Sequence, residues 1–171
     1  MISLASLARD LQQPEYVHVL LNPLPVYGLG MGLLALVIAL FFRSRPARVV
    51  ALALIGASAI SAWPVAHYGE DGYDRVLAME DEEGGAWLKA HMERAERFEI
   101  IFYALAVLAF TAIAVPIIWP RAELSLTIAT FLVAAVTLVL GSWIGYAGGK
   151  VRHSEFRNSP PPKVEEQDHS H

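Results

Sequence analysis

The chain has no cysteine among its 171 residues. That excludes disulfides, thiolate metal sites, iron–sulfur clusters and thioether-linked haem. Charge is also scarce: Asp, Glu, Lys and Arg make up 18% of the residues, and they sit almost entirely in tails and one loop. With 13 Lys+Arg against 17 Asp+Glu the formal net charge is −4. No basic stripe exists to neutralise a row of phosphates, so nucleic acid is not an expected partner. The sequence contains no Gly-x-Ser-x-Gly, no His-Glu-x-x-His and no phosphate-cradling glycine loop, which argues against a hydrolytic enzyme. A basic start followed by an apolar core is missing near the N-terminus, so no cleavable signal peptide is expected.

What the chain has in quantity is apolar sequence, 55% of its residues, with a mean hydropathy of +0.42. Four apolar runs, 24–42, 49–66, 98–119 and 124–147, each approach the roughly 20 residues that cross a hydrocarbon core of about 30 Å. Their one charged residue is Glu99, at the start of the third run. That position suits snorkelling to the interface, with a proton-relay role as the alternative. Paired intramembrane charges and interrupted spans are lacking, so a transporter is a weaker reading.

The expected fold is all-α: a polytopic membrane protein whose residues 23–156 form an antiparallel bundle of four transmembrane helices. Residues 1–22 read as a short amphipathic interfacial helix, with Ile2, Leu4, Leu7 and Leu11 near helical spacing and a break at Gln12-Gln13-Pro14. Asn22-Pro23 has the form of an N-cap followed by a first-turn proline. Short turns at 43–48 and 120–123 imply two helical hairpins. Residues 67–97 form a long acidic loop divided by Gly84-Gly85, with a helical approach from Trp87 to Arg97. The polar tail 157–171, with three prolines and His169 and His171 near its end, should be disordered.

Arg43, Arg45, Arg48 and Arg121 crowd the two short turns, which favours a cytoplasmic position for them and a periplasmic one for the termini and the acidic loop. Tyr27, Trp63, Trp143 and Tyr146 near one interface, and Phe41, Phe42 and Trp119 near the other, fit aromatic belts. Gly28-x-x-x-Gly32 in the first span, and Gly141, Gly145 and Gly149 in the fourth, let helix backbones approach closely. Such faces could also accommodate a flat cofactor.

The histidines are informative by position. His18 precedes the first span, His67 ends the second, His91 leads into the third and His153 follows the fourth, so alternating helices carry all four to one side. Counting about 1.5 Å per residue places His67 lowest, His18 above it, and His91 and His153 highest. For straight helices that predicts two pairs, His18 with His67 and His91 with His153. Neutral imidazoles ligate haem iron or transition metals, and carboxylates complete harder sites. The candidate cofactor-binding residues are therefore His18, His67, His91 and His153, and the candidate metal ligands are His67, His91, Glu70, Glu93 and Glu96.

Two segments carry a family resemblance. His18-Val-Leu-Leu-Asn-Pro-Leu-Pro25, leading into an apolar glycine-containing helix, resembles the His-Pro-x-Leu-x-x-x-Pro entrance of the bacterial membrane family called domain of unknown function 2231, with Val19 in place of the family's proline. Gly145-Tyr-Ala-Gly-Gly-Lys-Val-Arg-His153 resembles the glycine-pair-then-histidine exit of that family's fourth helix, with a shorter stretch between Gly149 and His153. His91 falls where the family often has a histidine entering its third helix. The resemblance spans 16–156. It implies a multi-pass protein of the bacterial inner membrane with histidines on one side and no settled activity.

Two functions compete on this reading. One is a small redox subunit that binds haem b or a transition metal and exchanges electrons with a quinol or a periplasmic carrier. The other is a cofactor-free accessory subunit whose acidic loop docks a basic partner. In either case the partners expected are the lipid bilayer and other membrane subunits or a periplasmic electron carrier.

Overall fold

A computed structural model describes residues 4–161; Ile2 and the tail from residue 162, with His169 and His171, lie outside the described residues. All regular structure among the described residues is helical: α1 (Leu4–Asp10), α2 (Pro14–Leu21), α3 (Pro23–Phe41), α4 (Arg45–Ile60), α5 (Ala62–Leu77), α6 (Glu82–Ile118) and α7 (Glu123–Arg152). Single 3-10 turns occupy Pro120–Ala122 and Ser154–Phe156. Four stretches, Pro14–Phe41, Arg45–Leu77, Glu82–Ile118 and Pro120–Arg152, are long and apolar enough to cross a membrane.

These stretches run well past the apolar runs of the sequence. The segment 67–97 is not a loop: α5 continues to Leu77, α6 starts at Glu82, and only 78–81 lie between them. Asp81 explains the early start of α6. Its carboxylate accepts from the Gly84 N–H at 2.6 Å, and Glu82 and Glu83 in the first turn oppose the positive end of the helix dipole. Asn22 departs from expectation too. Its backbone is already helical and its N–H bonds to the His18 carbonyl at 2.8 Å, so α2 runs into α3 with no side-chain cap. Pro23 needs no capping partner because it has no N–H.

α3 packs on α4, α4 on α6, α6 on α7 and α7 on α3, while α2 lies against α5 and α5 against α6. Small residues set these distances. A Cβ at Gly28 would run into the Ser58 hydroxyl, and one at Gly32 would lie 2.7 Å from Ile55 Cγ1. The core is built from Leu29, Leu36, Ile55 and Leu105 interleaved with alanines such as Ala59 and Ala109. Thr127, Thr130 and Thr137 are buried on α7, and each hydroxyl donates to the carbonyl four residues back, which removes the penalty of a lone polar group.

Ion pairs fasten both ends. Arg48 Nη2 reaches Glu123 Oε1 at 2.6 Å, joining the two short turns. At the opposite end Arg152 pairs with Glu80 at 3.1 Å. Arg157 folds back to donate to the carbonyls of Lys150 and Val151, capping α7, and to Asp81 at 2.8 Å. The expected loose tail is therefore tied down at its start. The Gly84 N–H, then Arg157, hold the Asp81 carboxyl below the usual carboxylate range. A depressed folded value means this tie is complete at neutral pH and loosens only as pH falls through it.

The outer surface is apolar over much of its length, with Met31, Val107 and Val139 all more than half exposed. Tyr27, Trp63, Trp143 and Tyr146 stand exposed, as do Phe41, Phe42 and Trp119.

The glycine contacts make a graded test. Gly32→Ile should lower the stability of the detergent-purified protein by about 1–3 kcal/mol through overpacking against Ile55. Gly30→Ile, where a Cβ meets nothing within 4 Å, should leave the melting temperature close to wild type.

Candidate functional site

The main core sits toward the arginine-bearing turns, and a smaller apolar cluster of Trp87, Ala147 and Val151 closes the other end. Between them the helices part around a cavity of about 1200 Å³, walled by α2, α3, α5, α6 and α7. Local sequence opens it. Pro64 has no N–H for the Ile60 carbonyl, the helix is interrupted at Ser61, and the next bond, Val65 N–H to Ser61, is stretched to 3.4 Å. On α7 the cavity wall includes Gly141, Gly145 and Gly148. At Gly145 a Cβ would find open space, whereas Gly141 is covered by Phe102 and Val26 and Gly148 by the His91 ring.

His18 and His91 meet in this cavity. Their ring centroids are 6.2 Å apart and their planes stand at 83°. Each ring is anchored through Nδ1 to a backbone carbonyl of another helix: His18 to Val65 on α5 at 2.8 Å, and His91 to Ile144 on α7 at 2.9 Å. A carbonyl can only accept, so each Nδ1 carries the proton, and in a neutral ring the lone pair is left on Nε2. Fixing the tautomer from behind is how ligating histidines are oriented. Each ring also lies over a glycine. A Cβ at Gly69 would come within 2.8 Å of His18 Nδ1, and one at Gly148 within 3.1 Å of the His91 ring.

The chemistry of this pair can be tested on its spacing. Two imidazoles ligating one ion from opposite sides, each at a metal–nitrogen distance of about 2 Å, place their ring centroids about 6 Å apart. The observed 6.2 Å is close to that value and is equally the spacing of an ordinary edge-to-face ring contact. The cavity volume exceeds the ~300–1,000 Å³ of a pocket for a drug-sized ligand, so a porphyrin-sized group fits by volume.

The pairs expected from height counting, His18 with His67 and His91 with His153, are replaced by His18 with His91. The count assumed straight helices, and the interruption at Ser61 breaks that assumption for α5. His67 stacks on Trp63 at 5.7 Å between ring centroids and stands 3.7 Å from Asp71, with its side chain half-exposed. His153 is exposed and bonds Glu155 at 2.9 Å. The candidate metal set is spread out: Glu70, Glu93 and Glu96 are all exposed, and of them only Glu70 and Glu96 border the cavity. Among the described residues no group of three or more His, Cys, Asp or Glu is placed to hold a metal ion.

Glu99 also lines the cavity, and its Oε2 accepts from the Tyr103 hydroxyl at 3.4 Å. Sequence reasoning missed the two anchoring carbonyls, which no side-chain pattern reveals. It also passed over Gly69 and Gly72, although glycines three apart inside a helical segment are a readable sign of close approach. No family model, no curated protein and no solved structure matches this chain.

Proposed function

We propose that this chain is a four-helix cytochrome of the bacterial inner membrane, in which His18 and His91 hold one haem b and pass electrons between a quinol and a periplasmic carrier. The observation that carries this reading is the imidazole pair: two rings 6.2 Å apart in one cavity, each locked by an Nδ1–H to carbonyl bond. A haem b held by two imidazoles supplies a one-electron couple with no open coordination position. The protein's part is to fix both tautomers through the carbonyls of Val65 and Ile144. A cofactor-free accessory subunit is the alternative, in which the same two bonds satisfy the part-buried imidazoles. The resemblance to the domain of unknown function 2231 family belongs to this proposal: of the three histidines that carry it, His18 and His91 meet, and His153 stands exposed beside Glu155.

The four long apolar helices and the apolar outer surface support membrane insertion in this reading. The arginine-bearing turns face the cytoplasm in this reading, and the histidine end faces the periplasm.

Haem content of variants tests the assignment. Wild type purified from its own membranes should carry about one haem b per chain, with a Soret band that shifts on dithionite reduction. His18→Ala and His91→Ala should each lose the haem or its low-spin spectrum, while His67→Ala and His153→Ala keep both. Retention in the first pair or loss in the second contradicts the assignment. Orientation has its own test, made simple by the cysteine-free sequence. Asp74→Cys should react with a membrane-impermeant maleimide in intact spheroplasts, and Arg121→Cys only after lysis.

A further inference from the structure

The arginine-bearing end has a chemistry of its own, away from the cavity. Arg43 lies in the turn between α3 and α4, Arg45 and Arg48 in the first turn of α4, and Arg121 in the 3-10 turn before α7. The one acidic side chain among them is Glu123, the first residue of α7. Both arginines of α4 turn to it, Arg48 Nη2 at 2.6 Å and Arg45 Nε at 3.7 Å. A single carboxylate thus gathers two guanidinium groups and can neutralise only one. Arg43 and Arg121 are exposed, and among the described residues neither forms an ion pair.

Three further observations suit this end to an anion. Arg48 Nε is buried and has no hydrogen-bond partner, and a charged donor withdrawn from water without an acceptor is costly. Arg43 has a φ of 52°, the left-handed position just past the end of α3. Glycine fills that position at least cost, so an arginine there stands against the backbone's own preference. Finally, α4 and α7 both begin here, and the positive ends of their dipoles add to the arginines. Beside this charge stand Phe41, Phe42, Ile118 and Trp119, all well exposed, Ile118 at 91%. Positive charge and bare apolar surface therefore adjoin on the same two turns.

We propose that this end binds an anionic phospholipid, its phosphate among the arginines of the two turns and its acyl chains over Phe41, Phe42, Ile118 and Trp119. The inference rests on the reading of the chain as membrane-spanning and makes no use of a cofactor. Basic groups at helix ends near the membrane surface are suited to such headgroups, and guanidinium offers paired N–H donors that match phosphate oxygens. A soluble anion would leave the apolar side chains uncovered. A zwitterionic lipid brings a cation that the arginines repel. An anionic lipid satisfies both the charge and the apolar rim.

Native mass spectrometry of the full chain in detergent tests this, with dioleoyl phosphatidylglycerol or dioleoyl phosphatidylcholine added and inorganic phosphate as the soluble anion. Wild type should retain phosphatidylglycerol at about tenfold lower concentration than phosphatidylcholine, and high salt should weaken only the first. Arg43→Gln combined with Arg121→Gln should remove most of that preference, whereas Arg43→Lys with Arg121→Lys should keep much of it. Lys89→Gln with Arg97→Gln removes the same charge from the opposite end and should leave the preference unchanged. Equal binding of the two lipids to wild type, or no effect of salt, overturns the proposal even if no variant folds. An unchanged preference in the Arg43/Arg121 glutamine variant, or an equal loss in the Lys89/Arg97 variant, overturns it too. Displacement of phosphatidylglycerol by equimolar inorganic phosphate replaces the lipid with a soluble anion. A wild-type chain that stays in solution without detergent overturns the membrane reading itself.

Discussion

Where α3 meets α4, Gly28 lies against Ser58 and Gly32 against Ile55, and neither contact has room for one more carbon. In lipid, association between apolar helices gains little from the hydrophobic effect, so close backbone approach and dense packing must hold them. That contact, continued by the alanines and leucines of the core, draws the helices together at the arginine end. The other end is organised differently. There the second stretch is interrupted at Ser61, α2 packs on α5, and the helices part around a cavity before closing again over Trp87, Ala147 and Val151. The lopsided shape is thus a consequence of where small residues allow contact and where Pro64 breaks the ladder of hydrogen bonds.

Inside that opening the histidines are fixed by groups outside the site. Val65 and Ile144 each belong to a helix other than the one carrying the ring they hold. Four helices therefore take part in setting two imidazoles, and a shift of any of them would change the spacing between the rings. Arg157, Glu80 and Asp81 matter for the same reason, since they join the end of α7 to the start of α6. Electrostatics at the protein's ends and packing at its middle converge on one distance.

Much of the helical architecture could be read from the sequence because an apolar run of about 20 residues is its own signal. The helical ends could not, because the segment from His67 to Arg97 is acidic, and charge along a helix does not distinguish it from a loop. Asp81 with Glu82 and Glu83 was a legible helix start that the charge obscured. The histidines were legible as a one-sided set, and their partners were not. Pairing His18 with His91 depends on helix tilt, on the interruption at Ser61 and on two backbone carbonyls, none of which leaves a mark in residue spacing. The Arg157 strap was hidden for a similar reason: its partners lie more than 70 residues away at Asp81 and only a few away at Lys150, and nothing local announces the first.

The central claim is the proposal that His18 and His91, whose rings meet in the cavity, together hold one haem b. Low-temperature electron paramagnetic resonance of the oxidised protein, purified from its own membrane, addresses this directly. With both histidines holding the haem, the oxidised protein should give a low-spin ferric signal that is lost in His18→Ala and in His91→Ala. A high-spin ferric signal, or no haem signal at all, would contradict the account.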